Sequence, residues 1–251
     1  MANSKSGDSI LHRIIQIVNV FDSGRSSMSV ALIARRTGLP VTTTHRLVKE
    51  LLVEGLLERD EDKNLRLGVR LWELGSRGSR VLTLREAALP FMEDVHSVVR
   101  EHTTLGVLDN DEVLYVERLT AGSSAVSIAR IAGRIPAHAS SSGLVLLAHS
   151  VGGAQERILT KTLDRYTNST ITEPLTLRRR LSEIRQTGFA SMQGVIVPES
   201  SGVAVPIRGQ DNTVIAALSV IVPLGMENLN VTVPVLMTAA RGISRAMGWR
   251  G

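Results

Sequence analysis

Between Val30 and Glu54 two short runs of helical periodicity are separated only by Thr37-Gly38-Leu39-Pro40, and this turn constrains the chain more than any other feature. The first run turns Val30, Ile33 and Ala34 inward, is capped by Ser27 or Ser29, and stops at Gly38. Pro40 then opens a helix over about Val41–Glu54, at a position where its missing N–H costs nothing. That helix buries Leu47, Val48, Leu51 and Leu52 before Gly55 ends it. A turn of this length between two helices is what a helix-turn-helix requires.

The flanking segments complete a small domain. Ile10, Leu11, Ile14, Ile15, Val18 and Phe21 recur at helical spacing over Ser9–Phe21, and Asp22-Ser23-Gly24 breaks the run. Downstream, Leu56–Arg59 and Leu65–Gly68 flank the polar turn Asp60–Asn64 as a hairpin. Three helices and a hairpin in this order predict a winged helix-turn-helix over residues 9–71. Its third helix gathers Thr42, Thr43, Thr44, His45 and Arg46 at its N-terminal end, with Lys49 one turn on. A recognition helix enters the major groove with that end foremost. Hydroxyls and the positive helix N-terminus hold phosphate oxygens there, and Arg46 can donate its fork to guanine. Arg36, Lys63 and Arg66 add cations on the second helix and the wing. Threonines at a helix start also serve as plain caps, His45 also reads as ordinary surface, and winged helices also dock proteins. The coincidence of turn, wing, basic surface and polar helix tip favours double-stranded DNA.

Charge divides along the chain in the same way. Residues 1–85 carry 14 Lys and Arg against 9 Asp and Glu, whereas residues 86–251 carry 15 against 15, so the formal excess of +5 lies in the first third. A basic module joined to a neutral one implies a polyanion for the first only. Aromatic residues are 3% of the chain, too few to stack on many bases. There is no cysteine, which excludes disulfides, thiolate metal sites and thiol nucleophiles. Met1–Asp8 lacks an apolar signal core, and stretches such as Val214–Leu224 are too short to span a membrane, so a cytoplasmic protein with no membrane partner is expected.

The run Ser29–Gly75, SVALIARRTGLPVTTTHRLVKELLVEGLLERDEDKNLRLGVRLWELG, resembles the DNA-binding domain of the IclR family of bacterial regulators. The family's Lys or Arg just after the turn proline is Val41 here, which removes one expected phosphate contact. Leu84-Arg85-Glu86-Ala87 is similar to the start of the family's linker helix, and an amphipathic stripe of Ala88, Phe91, Val95, Val98 and Val99 supports a helix over about Arg85–Glu101. Residues 72–101 are thus expected to connect the reader to an effector-binding domain at 102–251, the stripe being equally readable as simple core.

In that second domain the pattern shifts to short alternating runs. Leu105–Leu108 and Val113–Arg118 flank a hairpin turn, Ala125–Ile131 is a candidate strand, and Ser140–His149 reads as a helix opened by serines. Helices near Ala154–Thr160 and Thr176–Thr187, strands at Gly202–Ile207 and Thr213–Val222, and a last helix at Leu229–Met247 make an α+β arrangement. GRIPAHASSSGLVLLAH and VAVPIRGQDNTVIAALSV resemble family segments, which implies a GAF-like effector-binding fold.

The resemblance implies effector contacts at Ser140, Ser141, Met192, Gly202, Ser219 and Ile221, with Ser201 an alternative to Gly202. Met192 and Ile221 read equally as core. Arg130 or Arg134 could assist an anion, though exposed arginine is the plainer reading. Family members that bind small polar acids carry polar side chains near Met192, Gly202 and Ile221. Their loss implies a roomier, less polar pocket for an aromatic acid, another bulky organic acid, or a lactone-like metabolite. No cofactor or metal is expected: His96 and His102 stand six apart, on different helix faces. No catalytic residues are assigned, because Ser140 or Ser142 near His138 lacks the surroundings of a hydrolase elbow. A homodimer or dimer of dimers whose operator affinity follows the effector is expected, against a constitutive architectural DNA binder or a small-molecule hydrolase.

Overall fold

Capping side chains decide where the helices begin. Ser9 accepts from the His12 N–H at 3.1 Å and opens α1 (Ile10–Asn19). Ser29 accepts from the Leu32 N–H at 3.3 Å and opens α2 (Val30–Thr37), which Gly38 closes. Ser29 is therefore the cap, and Ser27 instead donates its hydroxyl to Asp60 in the hairpin turn, holding that carboxyl below its usual pKa. Pro40 stands at the N-cap of α3 (Val41–Val53). These elements belong to a computed structural model that describes residues 9–21, 26–120, 128–151 and 153–251. The helix break expected at Asp22-Ser23-Gly24 lies outside the described residues.

Contacts divide the chain into two units, with the boundary between Ser79 and Arg80. In the first, β1 (Leu57–Arg59) and β2 (Leu65–Leu67) form the wing, Leu57 opposite Leu67, and Met28 adds a bridge to Leu65. Ile17, Ile33, Leu47, Val48, Leu51, Leu57 and Leu65 make its core. Each such side chain contributes about 1.5–3 kcal/mol when fully buried, which makes this cluster the main support of the three helices. A further helix, α4 (Val69–Ser76), follows the wing directly and buries none of its residues.

The second unit begins with α5 (Arg80–Val99), which starts earlier than the expected Arg85 and ends before Glu101. It is built on an antiparallel six-stranded sheet in the order β5-β4-β3-β8-β7-β6. The hairpin strands β3 (His102–Asp109) and β4 (Glu112–Leu119) join through Asn110 at φ 57°. Of the strand expected at Ala125–Ile131, residues 125–127 lie outside the described residues, and Ile128–Ile131 belong to no strand of the sheet. Ala132 at φ 62° turns the chain there, so only β5 (Arg134–Pro136) runs beside β4. A short edge strand that periodicity does not reveal, β6 (Ala190–Gln193), pairs with β7 (Ser200–Arg208), and β8 (Val214–Pro223) lies between β7 and β3.

Both faces of this sheet are covered. On one, α6 (Ser141–Ala148), α7 (Ala154–Leu159) and α8 (Pro174–Thr187) supply Leu144, Leu147, Ile158, Leu177 and Leu181 to a core with Val113, Ala190 and Ala204. On the other, α5 and α9 (Leu229–Ala246) pack Met92, Val95, Leu236 and Ile243 against Leu105, Val205 and Leu218. A β-bulge connects the two sides. Leu105 pairs with Glu117 and Gly106 with Tyr115, leaving Val116 unpaired in β4. The extra residue re-aims the neighbouring side chains: Tyr115 joins the α6 core, and Glu117, almost fully buried, meets Arg85 of α5 at 2.6 Å.

Gly143 of α6 rests directly on the short 3-10 helix Ala137–Ala139: a Cβ there would stand 2.1 Å from the Ala137 carbonyl oxygen. Gly143→Ala is expected to destabilise the Arg80–Gly251 unit by about 1–3 kcal/mol, the usual cost of forcing atoms into a packed site. Denaturant unfolding followed by circular dichroism measures this; an unchanged midpoint would mean that α6 can lift off its seat.

Candidate functional site

Between β5 and α6 the chain has three residues of 3-10 helix and then Ser140, the N-cap of α6, whose Oγ accepts from the Gly143 N–H at 3.1 Å. The serines at this helix start therefore point their first turn toward the sheet. Ser142 Oγ donates to Ser219 Oγ at 2.8 Å, and Ser219 Oγ lies 2.6 Å from Thr104 Oγ1. All three residues are buried. The Tyr115 hydroxyl adjoins Ser142 and Ser140; burial pushes its pKa up while those hydroxyls pull it back. Its net rise leaves the phenol neutral near pH 7, able to donate as well as accept.

A small cavity of about 70 Å³ opens beside this chain of hydroxyls. Ser140, Ser141, Met192, Gly202, Ser219 and Ile221 all line it, so the structure brings together every effector-contact position expected from the sequence. Gly202 has a steric reason to be glycine: a Cβ would stand 2.8 Å from Ser141 Oγ, where β7 passes close under α6. Ser201, the alternative, does not line the cavity; its buried hydroxyl donates to the Met192 carbonyl at 3.3 Å.

The rest of the wall escapes sequence reading. Ile128, Ile135, Ala139, Val195, Ile196 and Val197 make it largely apolar, and Tyr115 and Ser200 add hydroxyls. A single tyrosine in an alternating strand reads as core, and the loop carrying Val195–Val197 holds no motif. Ile128 does carry a weak signal, as an apolar residue close to two arginines. None of the described lining residues is charged. Arg134 is occupied at the sheet edge by Asp109 at 2.5 Å and Glu112 at 3.5 Å, and Arg130 is exposed. His138 donates from Nε2 to the Asp164 carbonyl at 3.0 Å, so its Nε2 does not face the Ser142 hydroxyl, which is given to Ser219. Among the described residues no cluster of potential metal ligands occurs, and no helix is long and apolar enough to cross a membrane.

The first unit holds the other surface. Thr42, His45, Arg46 and Lys49 are exposed on α3 and Thr43 is half-buried. Thr44 departs from expectation: it is fully buried and donates its hydroxyl to the Pro40 carbonyl at 3.1 Å, so it secures the first turn and presents nothing outward. Helical periodicity explains the difference, since Thr44 lies one turn before Leu47 and Val48 on the inward stripe. Pro40 provides no side-chain cap, which leaves the leading N–H groups of α3 facing outward with the helix's positive end. Arg46 meets Glu50 at 2.7 Å with both side chains about half exposed, a pairing worth only about 0.3–0.5 kcal/mol and easily exchanged for a phosphate or a base. On the wing, Arg66 meets Glu58 at 2.7 Å and Lys63 occupies the turn at φ 64°. Arg36 is exposed, with its guanidinium on the Val20 carbonyl at 3.1 Å.

Residues 11–61 match the family described as the IclR helix-turn-helix domain, and residues 79–245 match that described as the bacterial transcriptional regulator IclR C-terminal domain. The transcriptional regulator XynR of Escherichia coli (strain K12) is 31% identical over 221 residues, 83% of this chain and 84% of that protein. Among solved structures, an IclR homolog from Microbacterium hydrocarbonoxydans complexed with 4-hydroxybenzoate is 45% identical, with a TM-score of 0.90 over 95% of this chain and 99% of that one. An IclR homolog from Microbacterium sp. strain HM58-2 is 43% identical, with a TM-score of 0.62 over 95% of this chain and 97% of that one.

Arg46→Ala is expected to weaken binding to the cognate DNA site by about 1–3 kcal/mol and to relax preference at one base pair, as loss of a bidentate guanine contact does. Fluorescence anisotropy on cognate and scrambled duplexes separates the roles: an equal loss on both would reduce Arg46 to a phosphate contact.

Proposed function

The chain belongs to the IclR family of bacterial transcriptional regulators, with a DNA-binding helix-turn-helix and a C-terminal effector-binding domain, and on that premise we propose that its effector is an aromatic carboxylic acid held in the α6 cavity. The observation that carries this reading is the composition of the cavity wall. Apolar side chains, Ile128, Ile135 and Ile221, suit the hydrocarbon faces of a ring, while hydroxyls of Tyr115, Ser140 and Ser219 suit its polar substituents. The M. hydrocarbonoxydans homolog, complexed with 4-hydroxybenzoate, supports the same class of ligand for this chain.

Thr42, Thr43, His45, Arg46 and Lys49 of α3 are the residues we assign to the operator, with Arg36 beside them and Lys63 and Arg66 of the wing on the phosphate backbone. The protein acts in the cytoplasm as a homodimer or a dimer of dimers, and its cavity binds without catalysing. The effector works by shifting populations: it favours whichever arrangement of the sensor it binds better, and operator affinity follows by the same free energy, typically about 1–3 kcal/mol. The ion pair of Arg85 with buried Glu117 supplies a route, because it fastens α5 to the strand that carries Tyr115.

Thermal unfolding in the presence of benzoates, aliphatic acids and lactones tests the reading. Ligand at a hundredfold excess over its Kd stabilises the native state by about 2.7 kcal/mol. An upward shift with 4-hydroxybenzoate, together with altered operator binding, is the expected result; shifts confined to aliphatic acids or lactones would overturn it. Ile221→Trp, which fills the cavity, is expected to abolish the shift and the effector response while leaving operator binding intact. A retained response would move the effector elsewhere.

A further inference from the structure

Beside the wall formed by Ile128 and Ile221 lies a cation that meets no carboxylate side chain among the described residues, and we propose that Arg118 is the anion seat of the effector site, receiving the ligand's carboxylate. The inference rests on the aromatic-acid reading above and names the residue that recognises the acid.

Strand register places Arg118 near the cavity. Arg118 of β4 pairs with Thr104 of β3, and Thr104 pairs with Ser219 of β8. Directly paired residues share a face of the sheet, so Arg118 stands on the α6 face with Ser219, about 10 Å away across two strand spacings. Its guanidinium has two contacts, each next to a lining residue. One terminal nitrogen donates to the Ala129 carbonyl at 2.6 Å, and Ala129 follows Ile128. The other lies 3.4 Å from Nδ1 of His102, which pairs across the sheet with Ile221.

The charge on this group is unanswered. Its Nε is buried and has no hydrogen-bond partner among the described residues. The neighbouring carboxylate, Glu117, is turned by the bulge toward the other face, where Arg85 takes it at 2.6 Å, and it reaches Arg118 only through the backbone N–H at 2.7 Å. A second cation, Arg130, stands close enough to repel Arg118, and between Leu119 and Gly133 the sequence holds no acidic residue. Burial and that repulsion lower the Arg118 pKa from its usual value, yet a guanidinium remains charged at any ordinary pH. A half-buried cation beside another cation is costly until an anion arrives. The planar fork of arginine suits a carboxylate, which it can hold through two parallel hydrogen bonds. The ring of the ligand then lies against the isoleucines, and its remaining polar group meets the hydroxyls of Ser219 and Tyr115.

Calorimetric titration of the full-length protein with 4-hydroxybenzoate and with its neutral isostere 4-hydroxybenzamide tests the assignment. The wild type is expected to prefer the acid, and Arg118→Gln to lose 10- to 100-fold in affinity for the acid while holding the amide unchanged. Arg118→Lys, which keeps the charge without the fork, is expected to retain part of the preference, and this guards against a general loss of fold. An unaltered acid-to-amide ratio in Arg118→Gln overturns the role of Arg118 and leaves the aromatic-acid reading standing. A wild type that binds neither compound overturns both.

Discussion

The second unit depends on hydroxyl groups that have no water to turn to. Ser142, Ser219 and Thr104 are buried on the α6 face of the sheet, and a buried hydroxyl left unpaired costs about 1–3 kcal/mol. Each must find the next, and the chain of contacts at 2.8 and 2.6 Å fixes the start of α6 over β8 and β3. Gly143 and Gly202 allow the approach, because side chains at either position would collide with Ala137 or Ser141. The cavity is what remains beside this seat, where the packed hydroxyls give way to isoleucine and valine. Its polar end and apolar walls therefore have one cause.

The bulge at Val116 has a comparable reach. Without it, Tyr115 and Glu117 would project from the same face, and a carboxylate would stand beside the cavity. With it, β4 presents Tyr115 and Arg118 on the α6 side and Glu117 on the α5 side. Only Glu117 of this pair is buried, the Arg85 side chain being part-exposed; removing Arg85 would leave a buried carboxylate uncompensated, whereas the intact pair mainly holds a geometry. Here that geometry fastens the first helix of the unit to a strand bordering the cavity.

Legibility in the sequence varies with how local the cause is. The reader's helices and wing can be placed to within a few residues because caps, glycines and hydrophobic period all act over one or two turns. Thr44 is harder, because a cluster of polar residues at a helix tip gives no sign of which one faces inward until the stripe continuing through Leu47 and Val48 is set against it. In the effector unit, the run ending at Ile131 reads as a strand from composition alone, yet Ala132 turns the backbone there and only Arg134–Pro136 pairs. Strand β6 is short and lies at an edge, too brief for alternation to register.

The sequence by itself determined the family, the order of reader and sensor, the separation of charge between them, and six positions that now surround one cavity. Those follow from local propensity and from motifs whose order along the chain is specific. Only the tertiary structure decided that Gly202 rather than Ser201 faces the cavity, that Tyr115 and Ile128 join it, and that Arg118 and Glu117, adjacent in sequence, serve opposite faces. Each of these turns on strand register and a single bulge. A shift of one residue reverses every side chain in a strand, and register is set by contacts between residues as far apart in sequence as Thr104 and Ser219.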